Sequence, residues 1–260
     1  ANGSLFVNSA GNTSEDNSTV FSFPSNLNGV LAVGSTTNND IKSSFSNYGL
    51  PVQVYAPGDQ VLSAVPDNGY ALWSGTSFSS PLTAGVAALV KTQHPDGSAD
   101  QDREQIRVTA DNIDSNNPNF AGLLGNGRVN AFRAVTESSP AVQVADVSFS
   151  DTGGDGRVDV GETANLTVRF TNFLANATNL SFDLTSQDAN ISIVNSSGNL
   201  AALNTGDTLG VTFQFSLANS VQEGYTTRFI TNISSASIAT VIFLRLRSIP
   251  RKCWITTPEI

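Results

Sequence analysis

Short apolar runs separated by glycine-rich loops mark the first half of the chain. Three of these runs predict β-strands, at residues 5–8, 30–34 and 52–56. Residues 77–93 predict a helix that His94-Pro95 closes, and since it is apolar almost all round we expect it to be buried. A second helix, at residues 100–110, is expected to carry its charges on a more exposed face. This succession indicates an α/β layered domain.

The pattern changes after Pro140, where apolar and polar residues begin to alternate. Alternation with a period of two is typical of half-buried strands. Runs of this kind lie at residues 142–144, 166–170, 180–184, 191–194, 211–217, 227–233 and 239–246. So many short strands predict an all-β, immunoglobulin-like sandwich. We therefore expect an α/β domain at residues 1–137 and a sandwich at 138–250, followed at 251–260 by a tail of unknown structure.

Composition excludes several classes of protein. A net charge of −9 argues against nucleic-acid binding. The single cysteine, Cys253, rules out an intrachain disulfide framework. No apolar run is long enough to predict a transmembrane helix. Because the sequence starts without Met or a signal peptide, we expect a piece of a longer protein or a processed product.

The segment 74–81, Ser-Gly-Thr-Ser-Phe-Ser-Ser-Pro, directly precedes the apolar helix. Ser77 is therefore predicted to lie at the positive end of the helix dipole, where its own N–H is free to stabilise an oxyanion. Pro81 suits the first turn of a helix. Alternatively, Thr76 or Ser77 simply caps the helix. These residues alone leave both interpretations open.

The same segment resembles the Gly-Thr-Ser-Met-Ala-Ser-Pro signature of subtilisin-like serine proteases, with Phe78 in place of Met. Further blocks resemble the landmarks of that family in the same order. They are Leu-Phe-Val-Asn-Ser-Ala-Gly-Asn at 5–12, Val-Leu-Ala-Val-Gly at 30–34, Phe-Ser-Asn-Tyr-Gly at 45–49 with Tyr-Ala-Pro-Gly at 55–58, and Gly-Asn-Gly-Arg-Val-Asn-Ala at 125–131. The resemblance implies a partial three-layer α/β subtilisin-like fold, truncated at its N-terminus.

The resemblance also implies roles for individual residues. Ser77 matches the nucleophile, and Asn12 matches the side-chain donor of the oxyanion hole. Taken alone, Asn12 would be interpreted as an ordinary turn residue after Gly11. The residues matching one wall and the base of the main specificity pocket are Ser9, Ala10, Gly11 and Ser22. Small residues there imply a preference for a bulky apolar or aromatic side chain before the scissile bond.

The catalytic triad is incomplete in this sequence. A serine hydroxyl needs an adjacent base and an orienting carboxylate, but the only histidine is His94. On the same predicted helix it would lie about 25 Å from Ser77, so we expect a solvated helix end instead of a base. In the family, the Asp and His motifs precede the oxyanion Asn. We therefore expect this chain alone to be inactive, and no cofactor to take part in catalysis.

An acidic loop opens the second domain. Residues Asp151, Asp155, Asp159 and Glu162 occupy positions one, five, nine and twelve of a loop with Gly156 at position six. This arrangement approaches that of an EF-hand calcium loop, although Gly153 replaces the third ligand and strands flank it. A structural calcium ion and a plain acidic interstrand turn both remain open.

Two classes of function are compatible with the sequence. The first is a secreted serine endopeptidase that acts on proteins or peptides, with an accessory sandwich that binds a cell surface or polysaccharide. The alternative is a non-catalytic extracellular adhesion or binding protein that retains a protease remnant.

Overall fold

The computed structural model describes residues 3–151, 153–154, 158, 162–218, 226–235, 238–249 and 252–255. These residues form two compact units, which divide between Ser138 and Ser139. Each unit has its own hydrophobic core. Within the described ranges, no helix is long and apolar enough to cross a membrane.

A parallel three-stranded sheet in the order β1-β2-β3 forms the centre of the first unit. Its strands are β1 (Phe6–Ser9), β2 (Val30–Thr36) and β3 (Val54–Pro57). They lie where the apolar runs predict them, and β2 is buried along its whole length. An antiparallel hairpin that we did not predict follows, made of β4 (Val61–Val65) and β5 (Gly69–Trp73).

Three α-helices complete this unit: α1 (Thr76–Gln93), α2 (Ala99–Val108) and α3 (Ala131–Thr136). Two short 3₁₀ helices lie between α2 and α3, at Asp114–Asn116 and Pro118–Phe120. Helix α1 packs on all three strands of the sheet and also contacts α2 and α3. Apolar side chains from these strands and helices form the main core.

The expectation that α1 is buried all round is wrong. Leu82 and Leu89 are 45% and 52% exposed, while Ser79 and Thr83 are fully buried. The buried hydroxyls are satisfied, since Ser79 Oγ donates to the Ala56 carbonyl at 3.0 Å and Thr83 Oγ1 to the Ser79 carbonyl at 3.1 Å. Hydrogen bonds therefore let small polar residues, rather than leucines, face the sheet.

The expectation that α2 exposes its charges is also wrong. Asp102, Glu104 and Arg107 are all less than a tenth exposed. The Glu104 carboxylate accepts two hydrogen bonds from Arg107 Nη1, at 2.9 and 3.0 Å, and one from Arg103 Nε at 3.2 Å. Opposite charges that pair in this way can be buried, whereas each alone could not.

The second unit is a sandwich of two antiparallel sheets, ordered β6-β7-β11-β9 and β10-β8-β12-β13-β14. The strands are β6 (Val142–Asp151), β7 (Thr163–Asn172), β8 (Ala177–Thr185), β9 (Ile191–Asn195), β10 (Ser197–Leu203), β11 (Thr208–Leu217), β12 (Thr226–Ser234), β13 (Ala239–Ile249) and β14 (Lys252–Ile255). The segment for which the sequence indicates no element thus contains strand β14, which pairs with β13.

Aromatic side chains join the two sheets in one core. The ring centroids of Phe170 and Phe182 are 4.4 Å apart, and those of Phe215 and Phe229 are 4.9 Å apart. All four residues are at most 1% exposed. The all-β sandwich is therefore present, while its immunoglobulin-like identity stays a prediction.

Asp111, which follows α2, is hydrogen-bonded to the segment that leads into α3 and to α3 itself. Its carboxylate accepts hydrogen bonds from Arg128 Nη2 at 2.7 Å, Asn130 Nδ2 at 2.9 Å and Arg133 Nη1 at 3.0 Å. Partial burial acts to raise the pKa of Asp111, but hydrogen bonds from Arg128, Asn130 and Arg133 outweigh it, so the pKa lies below its usual value. Asp111 therefore stabilises the fold when it is ionised.

We expect Asp111→Asn to lower the free energy of unfolding of the first unit by about 1–2 kcal/mol at pH 7. Because the pKa is lowered in the folded state, the difference from wild type is present above the unfolded pKa of about 4 and shrinks as the pH falls through the folded pKa. Urea unfolding followed by Trp73 fluorescence, in a Trp254→Phe background, measures it. Asp67→Asn, in an exposed turn, is the control. An equal difference at pH 7 and pH 3 would contradict the assignment.

Candidate functional site

The candidate site lies where the strands of the parallel sheet end and α1 begins. The loop after β1 carries Ala10, Gly11 and Asn12. Gly58 directly follows β3, and its carbonyl accepts a hydrogen bond from Gly75 N, just before α1, at 2.7 Å. Carboxyl ends of parallel strands are the usual place for ligand sites in α/β sheets.

The Asn12 side chain is bound to the first residue of α1. Its Oδ1 accepts hydrogen bonds from Thr76 N at 2.9 Å and from Thr76 Oγ1 at 2.8 Å. Thr76 is fully buried, whereas Asn12 is exposed. With the oxygen occupied, the amide nitrogen Nδ2 turns to the other side, where it has no hydrogen-bond partner among the described residues.

Ser77 is exposed and is the second residue of α1. The N-cap is Gly75, which has no side chain to accept a hydrogen bond, so the interpretation of Thr76 or Ser77 as an N-cap is wrong. A Cβ atom added to Gly75 would lie 3.5 Å from Asn12 Nδ2 and 3.8 Å from Ser77 N. Two N–H donors therefore border the same small space beside Gly75.

Two other sequence-predicted features occupy different places along α1. Pro81 lies inside the helix, beyond its first turn, which corrects the expected position. Because proline has no N–H, it cannot donate the helical hydrogen bond to the Ser77 carbonyl. His94 is the exposed C-cap of this 18-residue helix, about 25 Å from Ser77 at ~1.5 Å rise per residue. The prediction of a solvated helix end is confirmed.

The four residues matched to the specificity pocket lie close together. Ala10 is fully buried, and Ser9 and Gly11 beside it are half-buried. Ser22 Oγ donates to the Ala10 carbonyl at 3.5 Å, which brings Ser22 to the same loop. Gly11 N donates to Thr76 Oγ1 at 3.4 Å. The turn at residues 10–12 is thus fixed to both α1 and the loop that carries Ser22.

A pair of buried carboxamides that sequence reasoning missed lies beneath this turn. Asn47 is 3% exposed, and its Oδ1 accepts from Thr13 N at 2.9 Å, Thr13 Oγ1 at 3.0 Å and Glu15 N at 3.2 Å. Its Nδ2 donates to Asn17 Oδ1 at 3.0 Å, and Asn17 Nδ2 donates to the Ala10 carbonyl at 3.0 Å. The only sequence signal was that Asn47 falls in the block at 45–49.

The acidic loop of the second unit is described only in part. A Cβ at Gly153 would lie 2.7 Å from Glu162 Oε1 and 3.3 Å from Asp151 Oδ2, so both carboxylates approach this glycine. Asp155 and Asp159 lie outside the described residues. Within the described part of the chain, no group of three or more His, Cys, Asp or Glu residues is placed to hold a metal ion.

Residues 1–127 match the model of the subtilase family. Two curated relatives illustrate the likeness. Alkaline elastase YaB from Bacillus sp. (strain YaB) is 42% identical over 131 residues, which are 50% of this chain and 32% of that protein. Thermitase from Thermoactinomyces vulgaris is 43% identical over 133 residues, 51% of this chain and 44% of that protein. The chain thus spans less than half the length of these relatives.

Among solved structures, a protease from Pseudoalteromonas arctica PAMC 21717 is similar to 52% of this chain. The alignment covers 42% of that chain, with 32% sequence identity and a TM-score of 0.46.

Gly11 allows Asn47 to approach the turn closely. Its φ is +115°, and an added Cβ would lie 2.5 Å from Asn47 Nδ2. Gly11→Ala is expected to destabilise the first unit by about 2–4 kcal/mol, which combines backbone strain with displacement of Asn47. Thermal unfolding measures this loss. Gly29→Ala is the matched control, since φ there is +84° with nothing within 4 Å, and should cost only about 1 kcal/mol. Equal losses would show that Asn47 does not restrict position 11.

Proposed function

We propose that the protein containing this chain is a serine endopeptidase that hydrolyses peptide bonds through an acyl-enzyme on Ser77. The observation that carries the proposal is the convergence of Asn12 Nδ2 and Ser77 N on the space beside Gly75. The subtilase match over residues 1–127 supports a peptidase function. An oxyanion beside an exposed serine is the species that such a pair of donors would stabilise.

In the proposed reaction, Ser77 Oγ attacks the substrate carbonyl carbon while a general base accepts the hydroxyl proton. The carbonyl oxygen then becomes negatively charged and accepts hydrogen bonds from Asn12 Nδ2 and Ser77 N. Both donors are neutral amides, so they can stabilise the developing charge without losing a proton. Removal of one such donor typically raises the activation barrier by ~2.7–4 kcal/mol.

The general base is not His94, because that residue lies at the far end of α1. No other histidine is present in the sequence. We propose that a histidine base, with the carboxylate that orients it, is supplied by residues outside this sequence. Hence we propose that the 260-residue chain alone has negligible peptidase activity.

The surroundings of Ser77 support a substrate class. The residues matched to the pocket all have small side chains, which would leave room for a large group. The proposed pocket is formed by Ser9, Ala10, Gly11 and Ser22, and it would accept a bulky apolar or aromatic side chain before the scissile bond. We propose an extracellular location, with a cell surface or polysaccharide as the ligand of the sandwich.

In the full-length natural protein, Asn12→Ala is expected to lower kcat about 10²–10³-fold with little change in KM, because the donor acts on the transition state. Ser77→Ala should abolish both peptide hydrolysis and labelling by a fluorophosphonate. Asn39→Ala, at an exposed turn, is the matched control and should behave as wild type.

Labelling that survives Ser77→Ala, or full kcat after Asn12→Ala, would overturn the assigned roles. If the wild-type protein neither hydrolyses peptides nor reacts with the probe, the non-catalytic binding protein is the better description.

We also propose calcium as a structural ion of the acidic loop, in which Asp151, Asp155, Asp159 and Glu162 would be ligands. The approach of the Asp151 and Glu162 carboxylates to Gly153 supports this proposal. Oxygen ligands of this kind are those that calcium prefers. The ion would bind in the loop between β6 and β7 and take no part in catalysis.

Calcium at 100 times its dissociation constant should stabilise the second unit by about 2.7 kcal/mol. Thermal unfolding with and without calcium measures the effect, which Glu162→Gln should abolish. Asp183→Asn, which removes an exposed carboxylate from the same unit, is the control. No response to calcium in the wild-type chain would leave the loop as a plain acidic turn.

A further inference from the structure

We propose that Asn47 is a positioning residue for Asn12 and acts through Asn17 and the backbone on both sides of Asn12. This inference rests on the oxyanion role proposed for Asn12. Asn47 itself does not border the space beside Gly75. Its effect would be to hold the turn so that Asn12 Nδ2 faces the oxyanion.

Hydrogen bonds from Asn47 hold the chain on both sides of Asn12. On the C-terminal side, its Oδ1 accepts from Thr13 N at 2.9 Å. On the N-terminal side, Asn47 N donates to the Gly11 carbonyl at 3.0 Å. Asn17 links the Asn47 side chain to the Ala10 carbonyl, because it accepts from Asn47 Nδ2 and donates to that carbonyl. Both flanks of Asn12 are therefore fixed to one buried residue.

The backbone at and before Asn47 is itself held by hydrogen bonds from buried side chains. Its carbonyl accepts hydrogen bonds from Tyr55 Oη at 3.2 Å and Ser46 Oγ at 2.9 Å. The ammonium group of Lys42 donates to the carbonyls of Ser43 at 3.0 Å and Ser46 at 2.8 Å, which fixes the loop before Asn47. Tyr55 and Lys42 are both buried. Because both its oxygen and its nitrogen have hydrogen-bond partners, the Asn47 carboxamide has little freedom to rotate.

The amide of Thr76 reports on the position of Asn12. Thr76 N donates to Asn12 Oδ1, and neither atom is hydrogen-bonded to Asn47. If Asn47 positions Asn12, then loss of the Asn47 side chain must weaken this bond at a distance. A purely structural role for Asn47 would lower the stability of the unit without singling out the Thr76 amide.

Hydrogen exchange on this chain, which needs no catalytic activity, tests the prediction. Asn47→Ala should accelerate exchange of the Thr76 amide about tenfold, as expected for loss of one ordinary hydrogen bond. Gln105→Ala is the matched control, because the Gln105 carboxamide is also buried and hydrogen-bonded in this unit, to the carbonyls of Ala134 and Glu137, but has no bond to the turn or to Lys42. If Asn47→Ala does not fold, Asn17→Ala removes the relay and should give the same acceleration. Equal Thr76 rates in the test and control variants would overturn the proposal.

A double-mutant cycle in the full-length natural protein separates positioning from general stability. Asn47→Ala should lower kcat about tenfold with KM unchanged, yet have almost no further effect in an Asn12→Ala background. Losses that multiply in full would overturn the role of Asn47 and leave that of Asn12 intact. If Asn12→Ala alone leaves kcat unchanged, the proposed oxyanion function fails instead, so the two failures are distinguishable.

Discussion

The hydrogen bonds between Thr76 and Asn12 Oδ1 join the end of β1 to the start of α1 across 64 positions of sequence. The first amides of a helix need acceptors, and Gly75 has no side chain to provide one. Asn12 therefore acts as a cap from a distant part of the chain. Because a carboxamide is planar, fixing its oxygen also fixes the direction of its nitrogen. These bonds thus give the first amide of α1 an acceptor and also direct Asn12 Nδ2 outward, beside Ser77.

Sequence reasoning located elements whose pattern is local and sustained. The uncharged run of β2 and the long apolar run of α1 predict both elements within two residues of their observed bounds. Helix α3 spans only six residues, too few to establish a period. The hairpin of β4 and β5 did carry a signal in the sequence Asp67-Asn68-Gly69. Asp and Asn are residues that adopt the positive φ required by tight hairpin turns, and both do so here.

Burial of polar groups was the least predictable feature, because it depends on partners distant in sequence. Asn47 is 3% exposed through contacts with residues about thirty positions away, which no local pattern encodes. The buried hydroxyl of Ser79 follows the same rule, since it donates to the Ala56 carbonyl 23 positions away. The paired charges of α2 instead bond to neighbours on their own helix. Ser77 and Asn12 were predicted through the resemblance of whole blocks, and their hydrogen-bond partners were not.

The support beneath the candidate site is built chiefly from carboxamides and hydroxyls, which do not titrate in the physiological range. Two groups in it can ionise on the alkaline side. Burial raises the pKa of Tyr55, so its hydroxyl keeps donating to Asn47 as the pH rises. Burial lowers the pKa of Lys42, whose ammonium also lies 4.7 Å from the centroid of the Phe120 ring. A lysine with a lowered pKa loses its proton at a lower pH than usual, so as the pH rises Lys42 changes charge before Tyr55 does.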